Sequence, residues 1–232
     1  MAHTLHAKTL SEEVHQRIRA DILAGRLLPG QRLKLAQLCQ QHGVSLSIVR
    51  EALTRLAAEK LVRAQPQQGF TVTALSPAEL RDLTFVRISI ESVALRRSIE
   101  LGGLEWEARL LAAHHTLANT PVCATDDPTR LSEAYAEAHA LFHEALTAAC
   151  DSPRLCELQR SLYDTSELYR RLSYLLNRRR RNKAAEHRSL MDAALARNAD
   201  KTVALMVEHY ESTTRTLLES GVLERQGIGD AA

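Results

Sequence analysis

Aromatic residues make up only 4% of this 232-residue chain, and glycine (9 residues) and proline (6) are scarce as well. A chain so short of aromatics, yet rich in Ala, Leu, Glu and Arg, favours helices over sheets. Its four cysteines, Cys39, Cys123, Cys150 and Cys156, form no CxxC pair, which argues against a zinc ribbon or a disulfide framework. No apolar run approaches the ~18 residues needed to span a bilayer, and the N-terminal stretch lacks a signal-peptide core. A cytoplasmic protein without a membrane partner is the expectation. Disorder is excluded too, because 45% hydrophobic and 25% charged residues are the balance of an ordinary globular chain.

Net charge is also small, at +2, but it is unevenly spread. Residues 1–74 carry ten Lys+Arg against five Asp+Glu, whereas residues 75–232 carry twenty against twenty-three. Any nucleic-acid surface therefore belongs to the basic head. The length accommodates two modest domains, each with its own core.

The head is punctuated in order. Ser11 is placed to cap a helix whose apolar positions Val14, Ile18, Ile22 and Leu23 recur at helical spacing. Gly25 ends it and Leu27-Leu28-Pro29-Gly30 makes a turn. A short helix over about 35–42 leads through Gly43-Val44-Ser45 into a second over about 47–60, the signal of a helix-turn-helix. Residues 61–64 and 70–73 then read as two short strands around the tip 65–69. Ser76-Pro77-Ala78-Glu79 is a capping box with Pro at the first helical position. Six helical stretches follow, roughly 77–101, 104–118, 128–149, 153–178, 182–196 and 199–220. The expected architecture is mainly α: an N-terminal winged helix-turn-helix over residues 1–75, then an all-α antiparallel helical bundle over residues 76–232.

In a helix-turn-helix the start of the second helix meets base edges, here Ser45, Leu46, Ser47 and Arg50. Arg50 can fork onto a guanine edge or a phosphate, unless Glu51 or Glu59 occupies it. In the body, His139 and His143 are i and i+4 and share a helical face, while His187 and His209 sit on two later helices. Spacing alone leaves two readings open: one metal site, or a solvated pair plus two core histidines. Of the remaining histidines, His3, His6 and His15 are expected near a tail or on an exposed face. His42 ends a helix, and the adjacent His114 and His115 point different ways.

The run Gly43-Val44-Ser45-Leu46-Ser47-Ile48-Val49-Arg50-Glu51-Ala52-Leu53, with Leu56, Glu59, Leu61-Val62 and Gly69-Phe70, resembles the head of GntR-family bacterial transcription regulators. The resemblance covers nearly all of residues 8–74. It implies an operator of double-stranded DNA contacted by Ser45, Ser47, Arg50 and the wing residues Gln68 and Gly69. Gly69 lets the backbone approach the minor groove closely. The chain departs from the family at Leu46, where an arginine is usual, and at Ser47-Ile48, where Thr-Pro is usual.

The body resembles the FCD domain of the FadR-type branch of that family, through Leu141-Phe142-His143, Glu186-His187 and Met206 to His209. This implies a metal held by His139, His143, His187 and His209, with His139 where an aspartate is usual. Four imidazoles favour zinc, nickel or another borderline transition metal over magnesium or calcium. It further implies a homodimer and a small carboxylate effector. Arg87, Tyr169 and Arg170 are the candidate effector contacts. Segments 102–108 and 139–143 also resemble regulators of glutarate and aminobutyrate catabolism, which points to a dicarboxylate. The run Arg178–Arg181 is expected at a solvated helix end. The expected function is a metabolite-responsive transcription regulator, a repressor, and not an enzyme. The alternative is a metal-dependent hydrolase in a helical bundle. It lacks HExxH, since His143-Glu144-Ala145-Leu146-Thr147 has no second histidine, and it lacks paired Glu-x-x-His motifs.

Overall fold

A computed structural model describes residues 9–23, 25–65, 67–125, 131–176 and 182–223. The chain divides into two compact units, with the boundary between Leu75 and Ser76.

The first unit contains α1 (Leu10–Leu23), β1 (Arg32–Leu33), α2 (Leu35–His42), α3 (Leu46–Ala58), β2 (Val62–Gln65) and β3 (Gly69–Val72). Gly43 ends α2 in the left-handed conformation, φ 66°, and sends the chain directly into α3. Val49, Ala52, Leu53 and Leu56 on α3 are buried against α1 through its Val14, Ile18 and Ile22. The wing is a three-stranded antiparallel sheet of order β1-β3-β2, in which Arg32 faces Thr71 and Gln65 faces Gly69. Gly69 has φ 91°, a backbone state that a side chain would strain.

Three details differ from the sequence reading. Thr9, not Ser11, caps α1 by accepting the Glu12 N–H at 3.2 Å, while Ser11 is turned into the core. β1 is an added strand. It was hidden because two residues cannot display an alternation. His15 is buried rather than exposed, because it lies on the same stripe as Ser11 and Ile18, and its Nε2 meets Glu59 Oε1 at 2.5 Å. His3, His6 and Arg178–Arg181 lie outside the described residues.

The second unit is helical: α4 (Pro77–Leu101), α5 (Leu104–Asn119), α6 (Glu133–Thr147), α7 (Pro153–Leu176), α8 (Lys183–Leu195) and α9 (Ala199–Glu219). Ser76, Ser132, Asn182 and Asn198 cap α4, α6, α8 and α9 with side-chain oxygens. α4 packs on α9 and α7, and α5 on α6 and α8. The core joins Leu95, Ile99, Trp106, Leu110, Phe142, Leu190 and Met206. Each such side chain contributes roughly 1.5–3 kcal/mol by leaving water. Among the described residues, no helix is long and apolar enough to cross a membrane.

Gly102 is the tightest point of this packing. A Cβ there would stand 2.5 Å from the Trp106 ring and 2.6 Å from the Ser98 carbonyl. Trp106 cannot swing away freely, because its Nε1–H donates to the Ala145 carbonyl at 2.9 Å. Gly102→Ala should therefore destabilise this unit by about 1–3 kcal/mol, as overpacking does. Urea unfolding checks it, and a neutral result would mean that the α4–α5 corner relaxes at no cost.

Candidate metal centre and nucleic-acid interface

α6 presents His139 and His143 one turn apart, on the buried side that also carries Phe142 and Leu146. α8 adds His187 between its cap and the core residue Leu190, and α9 adds His209 one turn after buried Met206. The same apolar periodicity that packs the bundle thus aims all four rings inward. All four histidines are buried, and one ligand atom from each lies within 4.8 Å of the other three.

The outer nitrogens of His139, His143 and His209 are occupied. His209 Nδ1 is 2.8 Å from Glu186 Oε2, and a carboxylate only accepts, so that nitrogen carries the proton. His139 Nδ1 meets the Tyr163 hydroxyl at 2.7 Å. Tyr210 donates to Glu91 at 2.5 Å, which leaves its oxygen to accept from His143 Nδ1 at 3.4 Å. By contrast, the Nε2 atoms of His143 and His187 are buried with no hydrogen-bond partner. Orphaned buried nitrogens are costly unless something fills them. Four inward nitrogens, with three rings fixed from outside by a carboxylate or a phenol, are a donor set that fits a transition metal.

Burial holds the pKa values of His139, His143 and His187 well below the ordinary value of 6.5, with neighbouring histidines and, at His139, Arg170 acting the same way. The rings are therefore neutral at pH 7 and need shed no proton to bind metal. The shift has a sign for stability. Above the unfolded value near 6.5 the folded and unfolded chains hold the same neutral rings. As pH falls below it, the unfolded chain takes up protons that the folded one refuses. Metal-free protein should lose stability from about pH 6.5 downward, each histidine adding about 1.4 kcal/mol per pH unit. Urea unfolding in chelator at pH 7.5 and 5.5 reads this, and equal midpoints would refute burial of neutral rings.

Beside the cluster lies a small cavity of about 50 Å³ that opens to solvent. His139, His209, Arg87, Tyr169, Arg170 and Lys183 are among its lining residues. Neither arginine is a bare charge. Arg87 pairs with buried Glu91 at 2.8 Å and donates to Ser166 at 3.0 Å. Arg170 forks onto Glu167 at 2.8 and 2.7 Å. Each guanidinium has five donor hydrogens, so both pairs leave capacity for an anion. The Tyr169 hydroxyl is tied to the backbone of Ser76, accepting its N–H at 3.2 Å. Sequence reasoning missed Tyr163, Ser166, Lys183, Glu186, Tyr210 and Glu91. Tyr163, Ser166 and Arg170 recur at i, i+3 and i+7 on α7, a spacing that would have flagged the first two.

In the first unit, Ser45, Leu46, Ser47 and Arg50 are all exposed around the start of α3. Ser45 and Ser47 share a hydroxyl contact of 2.9 Å. Glu59 is taken by His15 and Arg19, and among the described residues no carboxylate pairs with Arg50. Arg50 lines a groove with Gln68, Gly69, Arg32 and Lys34, between α3 and the wing. The last two escaped the sequence reading because β1 did.

Comparison with known proteins points the same way. Residues 10–72 match the bacterial regulatory proteins of the gntR family, and residues 82–212 match the FCD domain. The HTH-type transcriptional regulator BphR of Paraburkholderia xenovorans is 41% identical, over 94% of this chain and 89% of its own. The HTH-type transcriptional repressor GlaR of Escherichia coli is 31% identical, over 83% of this chain and 88% of its own. The solved structure of E. coli McbR/YncC shares the fold, with TM-score 0.70 at 23% identity, covering 92% of this chain and 99% of that one.

Proposed function

The chain belongs to the gntR family of bacterial regulatory proteins and carries an FCD domain behind its DNA reader, and from that premise we propose a repressor that a small carboxylate releases from its operator. Its named relatives are transcriptional regulators, so the hydrolytic alternative is not carried forward. The observation that carries the reading is one cavity shared by His139, His209, Arg87, Arg170 and Lys183.

His139, His143, His187 and His209 would hold one divalent transition metal, zinc or nickel. Glu186, Tyr163 and the Tyr210–Glu91 pair would fix the ring orientations. A divalent ion held by these four imidazoles would supply positive charge that attracts a carboxylate. Arg87 and Arg170 would hold the rest of the anion and Tyr169 would line its seat, and a dicarboxylate matches cations on more than one side. Two chains would form a homodimer, so that two readers meet a pseudo-palindrome with half-sites about one DNA turn or a multiple apart. The repressor direction is supported by the name of the E. coli relative.

The test starts by selecting a bound duplex from a randomised pool with the full-length chain. Binding to it is then measured against a panel of mono- and dicarboxylates, with and without chelator. Release by a carboxylate only while metal is present is the expected result, and indifference to the whole panel would sink the effector reading. At the DNA end, Arg50→Ala should cost about 1–3 kcal/mol on the selected duplex if the guanidinium reads a base edge. An equal loss on random DNA would make it a phosphate contact instead, and no loss on either duplex would remove Arg50 from the interface.

A further inference from the structure

The first residue of α3 is Leu46, and it is 50% exposed. Single exposed leucines are ordinary on protein surfaces, but this one has an unusual address. The core stripe of α3, Val49, Ala52, Leu53 and Leu56, is fully buried. Leu46 stands at the edge of that stripe, about 20° around the helix from Leu53, yet in the first turn it is half exposed where Leu53 is fully buried, and Arg50 lies outside the stripe. Leu46 and Arg50 are one turn apart and about 40° apart around the helix, and both are exposed. Ser45 and Ser47 flank Leu46 with their hydroxyls. Among the described residues, Leu10 and Leu28 are the other large hydrophobic side chains exposed in this unit, and both lie outside the turn, α3 and the wing.

A major groove offers donors and acceptors on every base pair and one apolar group, the C5-methyl of thymine. A leucine pressed onto polar edges would strip their water without replacing it. We infer that Leu46 is a specificity-determining residue that packs on a thymine methyl, in the same half-site in which Arg50 meets its base or phosphate. One helical turn rises about 5.4 Å and one base pair about 3.4 Å, so the two contacts fall one or two base pairs apart. This rests on the DNA-reading role of α3 described above.

The experiment replaces each thymine of the selected duplex, one position at a time, by deoxyuridine, which removes the methyl and nothing else. The full-length wild-type chain should lose affinity about fourfold at one thymine per half-site, the worth of one buried methyl. Leu46→Ala should bind the same duplex more weakly and should not distinguish thymine from deoxyuridine at that position. Its melting temperature should be unchanged, since the side chain is exposed. Unchanged thymine discrimination in Leu46→Ala would overturn the assignment, as would a wild-type chain indifferent to every methyl while Arg50→Ala still loses binding. A wild-type chain that selects no duplex would overturn the DNA-reading role and this inference together.

Discussion

His143→Ala should leave the protein nearly free of the one metal ion per chain expected in the wild type. The imidazole is one of four inward ligands, and its Nε2 is buried without another partner. The loss of affinity should exceed the roughly 10–100-fold that follows removal of an outer partner. Glu186→Gln supplies that comparison in the same protein. The amide can still accept from His209 Nδ1 but no longer strengthens the ring as a donor. Because metal binds the folded chain, His143→Ala should also lose the rise in melting temperature that zinc or nickel gives the wild type. Metal analysis of tag-free protein and melting with and without chelator read both effects. A wild-type chain that takes up neither ion, with unchanged melting, would refute the metal centre.

The parts of this molecule that were legible in the sequence are those decided within a few residues. The body helices show themselves through punctuation: the Ser76 box, Gly102-Gly103, and Asn198, which caps α9. The turn into α3 is legible because Gly43 must take a left-handed state. β1 is not legible, since Arg32 and Leu33 become a strand only by pairing with Thr71 and Phe70. His15 shows the same limit, for a polar residue on an apolar stripe is buried only when a partner such as Glu59 arrives from another helix. At the histidine cluster, the i,i+4 pair on α6 can be read from spacing. Convergence with α8 and α9 cannot, and neither can the ring of partners. Glu91, one turn after Arg87, is 1% exposed and anchors both Arg87 and Tyr210. Such roles follow from the packing of α4 on α9, and no local pattern encodes them.

The second large effect expected is a reciprocal coupling between effector and operator. The histidine cavity belongs to the second unit and the DNA-reading residues to the first. A ligand in one unit can act on the other only by binding more tightly to one of two arrangements of the protein. A carboxylate seated on the metal, with Arg170 and Arg87 as partners, would favour the arrangement in which the readers no longer fit both half-sites. Coupling of the usual 1–3 kcal/mol weakens operator binding by roughly 5–150-fold. Thermodynamic linkage then requires the operator to weaken carboxylate binding by the same factor. Calorimetric titration of the carboxylate, with and without saturating duplex, measures that factor directly. Equal affinities in the two titrations would mean that the ligand occupies the cavity without regulating DNA binding. Repeating the titration with His143→Ala separates the two units. Effector binding should vanish with the metal, while the metal-free protein should still hold its duplex and ignore the carboxylate, because Ser45, Ser47 and Arg50 are untouched. If His143→Ala instead abolished duplex binding, the metal would be needed to assemble the reading arrangement itself, and release by a carboxylate would have to be replaced by control through metal occupancy.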